Sequence, residues 1–314
     1  MLTRRQLRIK VMQCIYALIQ SKDDELEKQQ KFLKVSIENT FALYLLMMSL
    51  FREIYQLASR HEEHAPKKYL AELNSFANSK KFLENRLLLQ IVKNDLLEQE
   101  LKRRKLNAWY LHEDYISILY KDIVGSTLYE DYMKRSESSY ELDREFIIAL
   151  FREVIAPNEK VYEYLEDDKL TWVDDIPLVN TFIVKKLKKM EPEEPKSYIL
   201  PKLLKDSEDM EFAKSLLAKT LLHNSVFEDE IVSKTPNWDK DRIADIDAIL
   251  LKMAICELWY FPSIPERVTL NEYLEIAKEY STPKSSIFIN GILDKLVREY
   301  KASGKLKKTG RGLL

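Results

Sequence analysis

The scarcity of glycine constrains the fold of this chain more than any other feature of its sequence. Only 5 of its 314 residues are glycine, whereas glycine makes up about 7% of an average protein. Few glycines leave few positions for the tight turns that join β-strands. Apolar residues also recur at intervals of three and four instead of alternating. The chain is therefore predicted to be all-α, and it is long enough to bury a large core.

Basic residues crowd the two ends of a chain whose formal net charge is only −1. No acidic residue precedes Asp23 and none follows Glu299. The basic residues nearest the ends are Arg4, Arg5, Arg8 and Lys10 on one side and Lys301, Lys305, Lys307, Lys308 and Arg311 on the other. Two such ends are either solvated termini, which is the commoner case, or a split surface for anions.

The sequence contains no motif that indicates catalysis, a cofactor or a metal. Phosphate-binding and dinucleotide-binding glycine patterns are absent, and the two histidines of residues 61–64 do not have zinc-protease spacing. Cys14 and Cys256 lie in apolar helical patterns and are predicted to be reduced and buried. The apolar run 41–51 is too short to cross a membrane. We therefore predict a non-enzymatic, cytoplasmic protein with no membrane span.

Helical periodicity extends along nearly the whole chain. The predicted helices cover residues 3–20, 25–62, 66–77, 79–106, 107–122, 125–136, 141–155, 158–168 and 174–190. Residues 190–201 contain three prolines and are predicted to be a linker. Later helices are predicted to begin near Glu208, after Asp239 or Asp241 as N-cap, at a capping box formed by residues 269–272, and at Thr282-Pro283.

Two positions in these later helices are unusual. Glu257 lies at the edge of a buried apolar stripe, so its carboxylate is expected to accept hydrogen bonds from backbone N–H groups of the following loop. Gly291 sits within the last helix, where glycine costs about 1 kcal/mol relative to alanine. The expected compensation is close approach of another helix. Phe288 is then either part of the core, which the residues alone favour, or a stacking platform for an unpaired base.

A set of motifs occurs in a fixed order in the C-terminal third and in the first helix. They are residues 242–243, 247–258, 264–272, 275–278 and the sequence Phe-Ile-Asn-Gly-Ile-Leu-Asp at 288–294, together with Arg5, Arg8, Gln13 and Tyr16. In this order and spacing they resemble the NusB family of transcription antitermination factors. The resemblance covers residues 1–20 and about 208–300, and a NusB of usual size has no counterpart of the stretch between them.

The resemblance implies an all-α, NusB-like helical bundle with a large helical insertion after the first helix. Residues 1–20 and 206–300 would form the NusB-like core, with the first helix packed beside the C-terminal helices. Residues 21–205 would form an insertion subdomain, and residues 301–314 a basic tail.

The resemblance also implies a function. NusB proteins bind the boxA element of ribosomal RNA leader transcripts together with NusE, a small-subunit ribosomal protein, within the RNA polymerase antitermination complex. By position, the expected RNA-binding residues are Arg4, Arg5, Arg8, Lys252, Ser285 and Phe288, and the expected NusE contacts are Tyr16 and Asp247. Lys284 and Ile287 depart from the family, which more often has an acidic or polar residue and a basic residue there.

Two other functions remain open at this stage. One is a protein–protein scaffold in ribosomal RNA transcription or ribosome assembly, in which RNA binding has decayed. The other is the RNA-binding module of a ribosomal RNA methyltransferase, which is disfavoured because the chain has no nucleotide-binding or catalytic cysteine motif.

Overall fold

A computed structural model of the chain describes residues 1–21, 25–64, 79–106, 108–234 and 243–309. These residues are predominantly helical, and no strand occurs among them, so the prediction of an all-α protein is confirmed. The α-helices are α1 (Arg4–Ser21), α2 (Leu26–His64), α3 (Lys80–Leu83), α4 (Arg86–Val92), α5 (Asp95–Arg103), α6 (Ala108–Leu111), α7 (Glu113–Val124), α8 (Thr127–Lys134), α9 (Tyr140–Leu150), α10 (Glu159–Asp168), α11 (Ile176–Lys188), α12 (Ser207–Leu222), α13 (Asn224–Lys234), α14 (Asp245–Tyr260), α15 (Glu266–Tyr280) and α16 (Ser285–Ala302).

The chain divides into two compact units. The first unit comprises residues Met1–Ile37 and Leu203–Leu314, and the second comprises Glu38–Lys202. One boundary therefore lies inside α2, and the other follows the proline-containing stretch.

Helix α14 is the centre of the first unit. It packs against α1, α12, α13, α15 and α16, and it is apolar on most sides, as expected for a helix surrounded by others. Residues 249–251 and 253–258 of α14 are all buried. Helix α1 packs against α12, α14 and α15, which confirms that the first helix lies beside the C-terminal helices. Cys14 and Cys256 are buried free thiols, as predicted.

Three helix starts in the first unit differ from those predicted. The capping box at 269–272 is wrong, because α15 already begins at Glu266 and Thr269 lies inside it. Helix α14 begins at Asp245 and has Ala244 at its N-cap, whereas residues 239 and 241 lie outside the described residues. Helix α16 begins at Ser285, three residues after Thr282. Helix α13 was not predicted at all.

The second unit has shorter helices than its periodicity predicts. Residues 79–106 form three helices, because the side chains of Asn85 and Asn94 accept hydrogen bonds from Leu88 N and Leu97 N and start new helices there. The stretch 190–201 connects α11 to α12 and ends beside the boundary between the units. It is packed, since Tyr44 Oη donates to the carbonyl of Ile199. The helix predicted over 66–77 lies outside the described residues.

Helix α2 is long and apolar enough to span a membrane by length and composition. However, 78% of its most apolar window is buried in the protein, which is typical of a core helix in a soluble protein.

Candidate RNA and partner surface

The guanidinium group of Arg8 is buried in the middle of the first unit. Its Nε and Nη2 donate to the two carboxylate oxygens of Glu257, each at 2.8 Å, and the two side chains are 2% and 0% exposed. Thr269 Oγ1 and Tyr273 Oη also donate to this carboxylate, at 2.8 and 3.3 Å. The expectation that backbone N–H groups of the next loop satisfy Glu257 was therefore wrong.

This burial determines what Arg8 can do. Burial works to lower its pKa, but the hydrogen bond and charge of Glu257 outweigh it and hold the pKa above the ordinary arginine value. Arg8 is thus a charged residue neutralised inside the protein. A phosphate would have to break a buried bidentate pair to reach it, so the structure places Arg8 on Glu257 and not at an RNA surface.

Arg4 and Arg5 also have acidic partners, but both remain partly exposed. Arg4 Nε donates to Asp209 of α12 at 3.0 Å. Arg5 donates from Nε and Nη2 to the two carboxylate oxygens of Glu272, each at 2.9 Å. These hydrogen bonds, donated by Arg5 and accepted by Glu272, lower the pKa of Glu272 and raise the pKa of Arg5. These three arginines therefore join α1 to α12, α14 and α15.

An open cleft lies beside these arginines at the N-terminal end of α1. It has a volume of about 600 Å³, and its lining residues are Thr3, Arg4, Arg5, Gln6, Arg8, Ser263, Ile264, Pro265, Val268 and Glu272. Arg4 and Arg5 line it, and their ion pairs use one N–H group of Arg4 and two of Arg5 out of the five that an arginine side chain carries. These two residues stay candidates for phosphate contacts.

The start of α14 and the turn before α16 form a hydrogen-bonded cluster. Ser281 Oγ donates to Asp247 Oδ1 at 2.6 Å and lies 3.0 Å from Ser285 Oγ. Thr282 Oγ1 lies 2.8 Å from the same Ser285 oxygen. Asp247 and Ser285 are both buried. Ser281 therefore links Asp247, which was expected at NusE, to Ser285, which was expected at RNA. Both residues stabilise the turn between α15 and α16.

Two aromatic residues near this turn, Tyr16 and Phe288, are at least partly exposed. Tyr16 is 40% exposed on α1, one turn before Gln20, which donates to Asp245 at the start of α14. Phe288 is half-buried, whereas the next residue, Ile289, is fully buried. The structure therefore places Phe288 at the rim, which was the less favoured interpretation of the residues alone.

Lys252 faces a different helix. Its Nζ donates to Asn224 Oδ1 at 2.8 Å and lies 3.5 Å from the carboxylate of Glu228. Its side chain is only 15% exposed. Lys252 thus fastens α14 to α13, and no contact brings it to the α1 arginines or to the α15–α16 turn within the described part of the chain.

The outer face of α16 carries cations that the sequence reasoning missed. Lys284, Lys295 and Arg298 are exposed, and none of them has an ion pair among the described residues. Ile287 is 74% exposed. Nothing lies within 4 Å of a Cβ built on Gly291, so the predicted close approach of another helix there is wrong. At about 100° per residue these five positions share an arc of roughly 80°. We call these five residues the α16 stripe.

The signal for the α16 stripe was present in the sequence. Its residues are separated by 3, 4, 4 and 3 positions, which is the spacing of one helical face. Lys284 was noticed only as a departure from the family, and Lys295 and Arg298 were not considered. Two acidic residues flank the stripe, and both are engaged: Asp294 accepts from Asn290 and Glu299 pairs with Lys234.

The sequence-predicted residues therefore fall into three groups. Tyr16, Asp247, Ser285 and Phe288 lie around the start of α14 and the α15–α16 turn. Arg4, Arg5 and Arg8 lie near the other end of α1, because Arg5 and Tyr16 are about 16 Å apart along the helix axis. Lys252 stands apart, on the side of α14 that faces α13. Within the described residues no group of three or more His, Cys, Asp or Glu side chains is arranged to hold a metal ion.

The part of the chain that contains α12 to α16, which form most of this surface, is similar to known proteins. The NusB family model matches residues 179–298. Proteins named transcription antitermination protein NusB match from Salinibacter ruber (41% identity over 35% of this chain), Chloroherpeton thalassium (49% over 27%) and Methylacidiphilum infernorum (39% over 30%). These matches span 68%, 40% and 66% of the respective relatives.

A solved structure of T. maritima NusB is 32% identical, covers 36% of this chain and 82% of that chain, and has a TM-score of 0.30. The match to the Salinibacter protein is 41% identical and extends over 68% of that protein, which is enough to assign the family. The chain belongs to the NusB family.

Proposed function

We propose that this chain is a cytoplasmic, non-enzymatic transcription antitermination factor that acts by binding RNA together with a protein partner. Its relatives carry the name of transcription antitermination proteins. The resemblance to the family suggests the finer assignment, which is a boxA-like single strand in ribosomal RNA leaders, NusE as partner, and the RNA polymerase antitermination complex as the setting.

The observation that carries the RNA proposal is the unpaired charge of the α16 stripe. Lys284 occupies the N-cap position of α16, where the helix dipole disfavours a cation and a lysine cannot cap as Ser, Thr, Asp or Asn does. A role in helix stability therefore does not explain it. With Lys295 and Arg298 it forms a positive track that extends about 21 Å along the helix.

Single-stranded RNA fits this track better than a duplex does. Ile287 and Phe288 stand beside Lys284 and offer apolar surface on which an unstacked base can pack. Lysine and arginine farther along the helix would then meet the phosphates of the same strand. Gly291 leaves the middle of the track without a side chain, so a strand can approach the helix backbone there.

The residues first expected at RNA receive revised roles in this proposal. Arg8 positions α1 through Glu257, and Lys252 positions α13. Arg4 and Arg5 remain phosphate contacts through their free N–H groups. Ser285 is buried and holds the turn that presents Phe288, so we propose that it acts on RNA only through Phe288.

The proposed protein partner contacts the C-terminal half of α1. Tyr16 and Ile19 are 40% and 42% exposed there, and exposed aromatic and branched apolar side chains are typical anchors of protein interfaces. Asp247 is buried and bonded to Ser281, so we propose that it shapes this partner surface from below and does not itself touch NusE.

The test is a binding titration with a boxA-like single strand, with and without NusE, at several salt concentrations. We expect affinity that is higher with NusE and that falls as salt rises, because phosphate contacts release counterions. A strand of the same composition in scrambled order is the control. Absence of binding with both components present would contradict the RNA proposal, and binding of NusE alone would then favour the scaffold alternative.

A further inference from the structure

Lysine 305 lies in a cage of aromatic and acidic side chains. Its Nζ is 3.7 Å from the ring centroid of Trp259 and 5.1 Å from that of Tyr300. The same Nζ donates to Glu230 Oε1 at 2.7 Å. Tyr300 Oη donates to the other oxygen of Glu230 at 3.0 Å. An ammonium group over two aromatic faces, paired with a carboxylate, has the chemistry of a cation-binding site.

The electrostatics of the cage agree with this chemistry. Burial works to raise the pKa of Glu230, but hydrogen bonds from Lys305 and Tyr300 outweigh it and hold the pKa below the ordinary glutamate value. Glu230 is therefore an anion at neutral pH. The cage is assembled from α13, α14 and α16, so its three walls come from separate parts of the first unit.

The chain returns to this cage by a turn that only glycine adopts easily. Helix α16 ends at Ala302, and Gly304 has a φ of +67°, the left-handed conformation that commonly ends helices. The N–H groups of Lys305 and Leu306 both bond to the carbonyl of Tyr300, at 2.9 and 3.2 Å. This reversal directs Lys305 back onto Tyr300 and Trp259.

A second lysine fixes the same segment to the end of α14. Lys308 Nζ donates to the carbonyls of Glu257 and Phe261, at 3.1 and 3.0 Å, and Thr309 N donates to Pro262 O at 2.9 Å. The last carbonyls of a helix lack partners within the helix and carry partial negative charge. Lys308 adds a charged donor to two carbonyls at this end of the helix, which also accept from Phe261 N and Ile264 N. Lys307, between the two fixed lysines, is exposed and has no hydrogen bond or ion pair within the described residues.

We propose that Glu230, Trp259 and Tyr300 form a binding site for an ammonium group, and that its ligand is the chain's own Lys305. Residues Ser303–Thr309 are then a latch, closed by Lys305 in the cage and by Lys308 on α14. The latch holds the last turn of α14, which carries the carboxylate that neutralises Arg8. The basic C-terminal segment is accordingly a fastening of the first unit and not a free arm for RNA.

Hydrogen exchange of the full chain tests the latch directly. The bonded amides of Lys305, Leu306 and Thr309 report latch closure, and the amide of Phe261, which bonds to Glu257 O, reports the end of α14. We expect Lys305→Ala and Lys308→Ala each to speed exchange of the latch amides and of the Phe261 amide by about tenfold, within the range for a partly exposed cation–π contact. Lys307→Ala, the matched control, leaves them unchanged.

Chemical rescue then tests the ligand class. Propylammonium replaces the atoms that Lys305→Ala removes, so we expect it to restore slow exchange of the Phe261 amide, whereas sodium at equal concentration does not. Lys305→Arg keeps the cation and is expected to exchange like the unmodified chain. Equal exchange in the Lys305→Ala and Lys307→Ala variants would overturn the latch. Equal effects of propylammonium and sodium would overturn the ammonium site.

Discussion

Each of the two units of this chain is stabilised internally by a different kind of polar contact. In the first unit, Arg8 and Glu257 form a buried ion pair between residues 249 positions apart. In the second unit buried neutral donors bond to carbonyls and to single carboxylates, as where Trp109 Nε1 donates to Leu46 O and Tyr132 Oη to Asp143 Oδ1. The first unit has 25 basic and 22 acidic residues, and the second has 25 and 29.

This difference shows which charged residues stabilise the fold and which remain available to bind a ligand. In the first unit the arginines of α1 are matched to acidic partners, whereas the three cations of the α16 stripe have no ion pair among the described residues. In the second unit the helices are started by local caps and packed by aromatic rings, such as the stacked pair Tyr132 and Phe146. Charged residues in a segment therefore indicate a binding surface only if they are not already paired with other residues of the protein.

The largest expected effect comes from breaking the buried pair of the first unit. Glu257→Leu leaves Arg8 charged and without its two hydrogen bonds to a carboxylate, although Glu272 Oε2 lies 3.7 Å from its Nη1. We expect it to destabilise the first unit by about 3 kcal/mol, the low end for a broken buried pair. Hydrogen exchange resolved along the chain measures this, because α14 and α15 should lose protection while α9 in the second unit keeps it. Adding Arg8→Met should recover part of the loss, since an apolar pair can replace a buried ion pair. Equal loss in both units would contradict the separation.

A smaller effect is expected from a cap in the second unit. Ser139 Oγ accepts a hydrogen bond from Leu142 N at the start of α9, so Ser139→Ala should cost about 1 kcal/mol. Ser136→Ala is the matched control, because Ser136 is exposed and makes no such contact. Exchange of the first-turn amides of α9 measures the cost. An equal response to both substitutions would show that the cap does not contribute.

The smallest effect concerns acid stability. The hydrogen bonds from Arg5 hold the pKa of Glu272 below the ordinary glutamate value. A carboxylate with a lowered folded pKa contributes stability above its unfolded pKa and loses it as pH falls through the folded value. The first unit should therefore weaken below about pH 4.5, and Glu272→Gln should flatten this dependence. Thermal unfolding between pH 3 and pH 7 measures it, and an unchanged profile would contradict the role of the pair.

Local chemistry explains which features the sequence predicted. The helical period alone indicated α1, α2 and α10–α12, and motif order indicated the NusB-like helices. The capping box at Thr269 misled, because its hydroxyl is taken by Glu257, a partner 12 residues away that only the fold supplies. The breaks at Asn85 and Asn94 were available as asparagine caps in the sequence, but apolar periodicity concealed them.

The candidate surface was harder to predict than the fold. Position in the family pointed to Arg8 as readily as to Phe288, and only the buried pair with Glu257 separates them. The sequence predicted that Gly291 allows another helix to approach closely. In the structure the face of α16 at Gly291 is open and is not packed against another helix. The sequence alone therefore did not show which distant residues pair with each other.

The most direct test of the account compares free cations on the two units. One variant replaces Lys284, Lys295 and Arg298 of the first unit with alanine. The other replaces Lys185, Lys188 and Lys189 in the second unit, which are exposed and have no ion pair within the described residues. Both variants lose three positive charges, so they differ only in where the charge was.

The measurement is the slope of log affinity against log salt for a boxA-like single strand in the presence of NusE. The account predicts that the first variant reduces the magnitude of the slope by about 2, as expected for three lost phosphate contacts on a single strand, and that the second leaves it unchanged. Equal slopes in the two variants would contradict the assignment of RNA binding to α16.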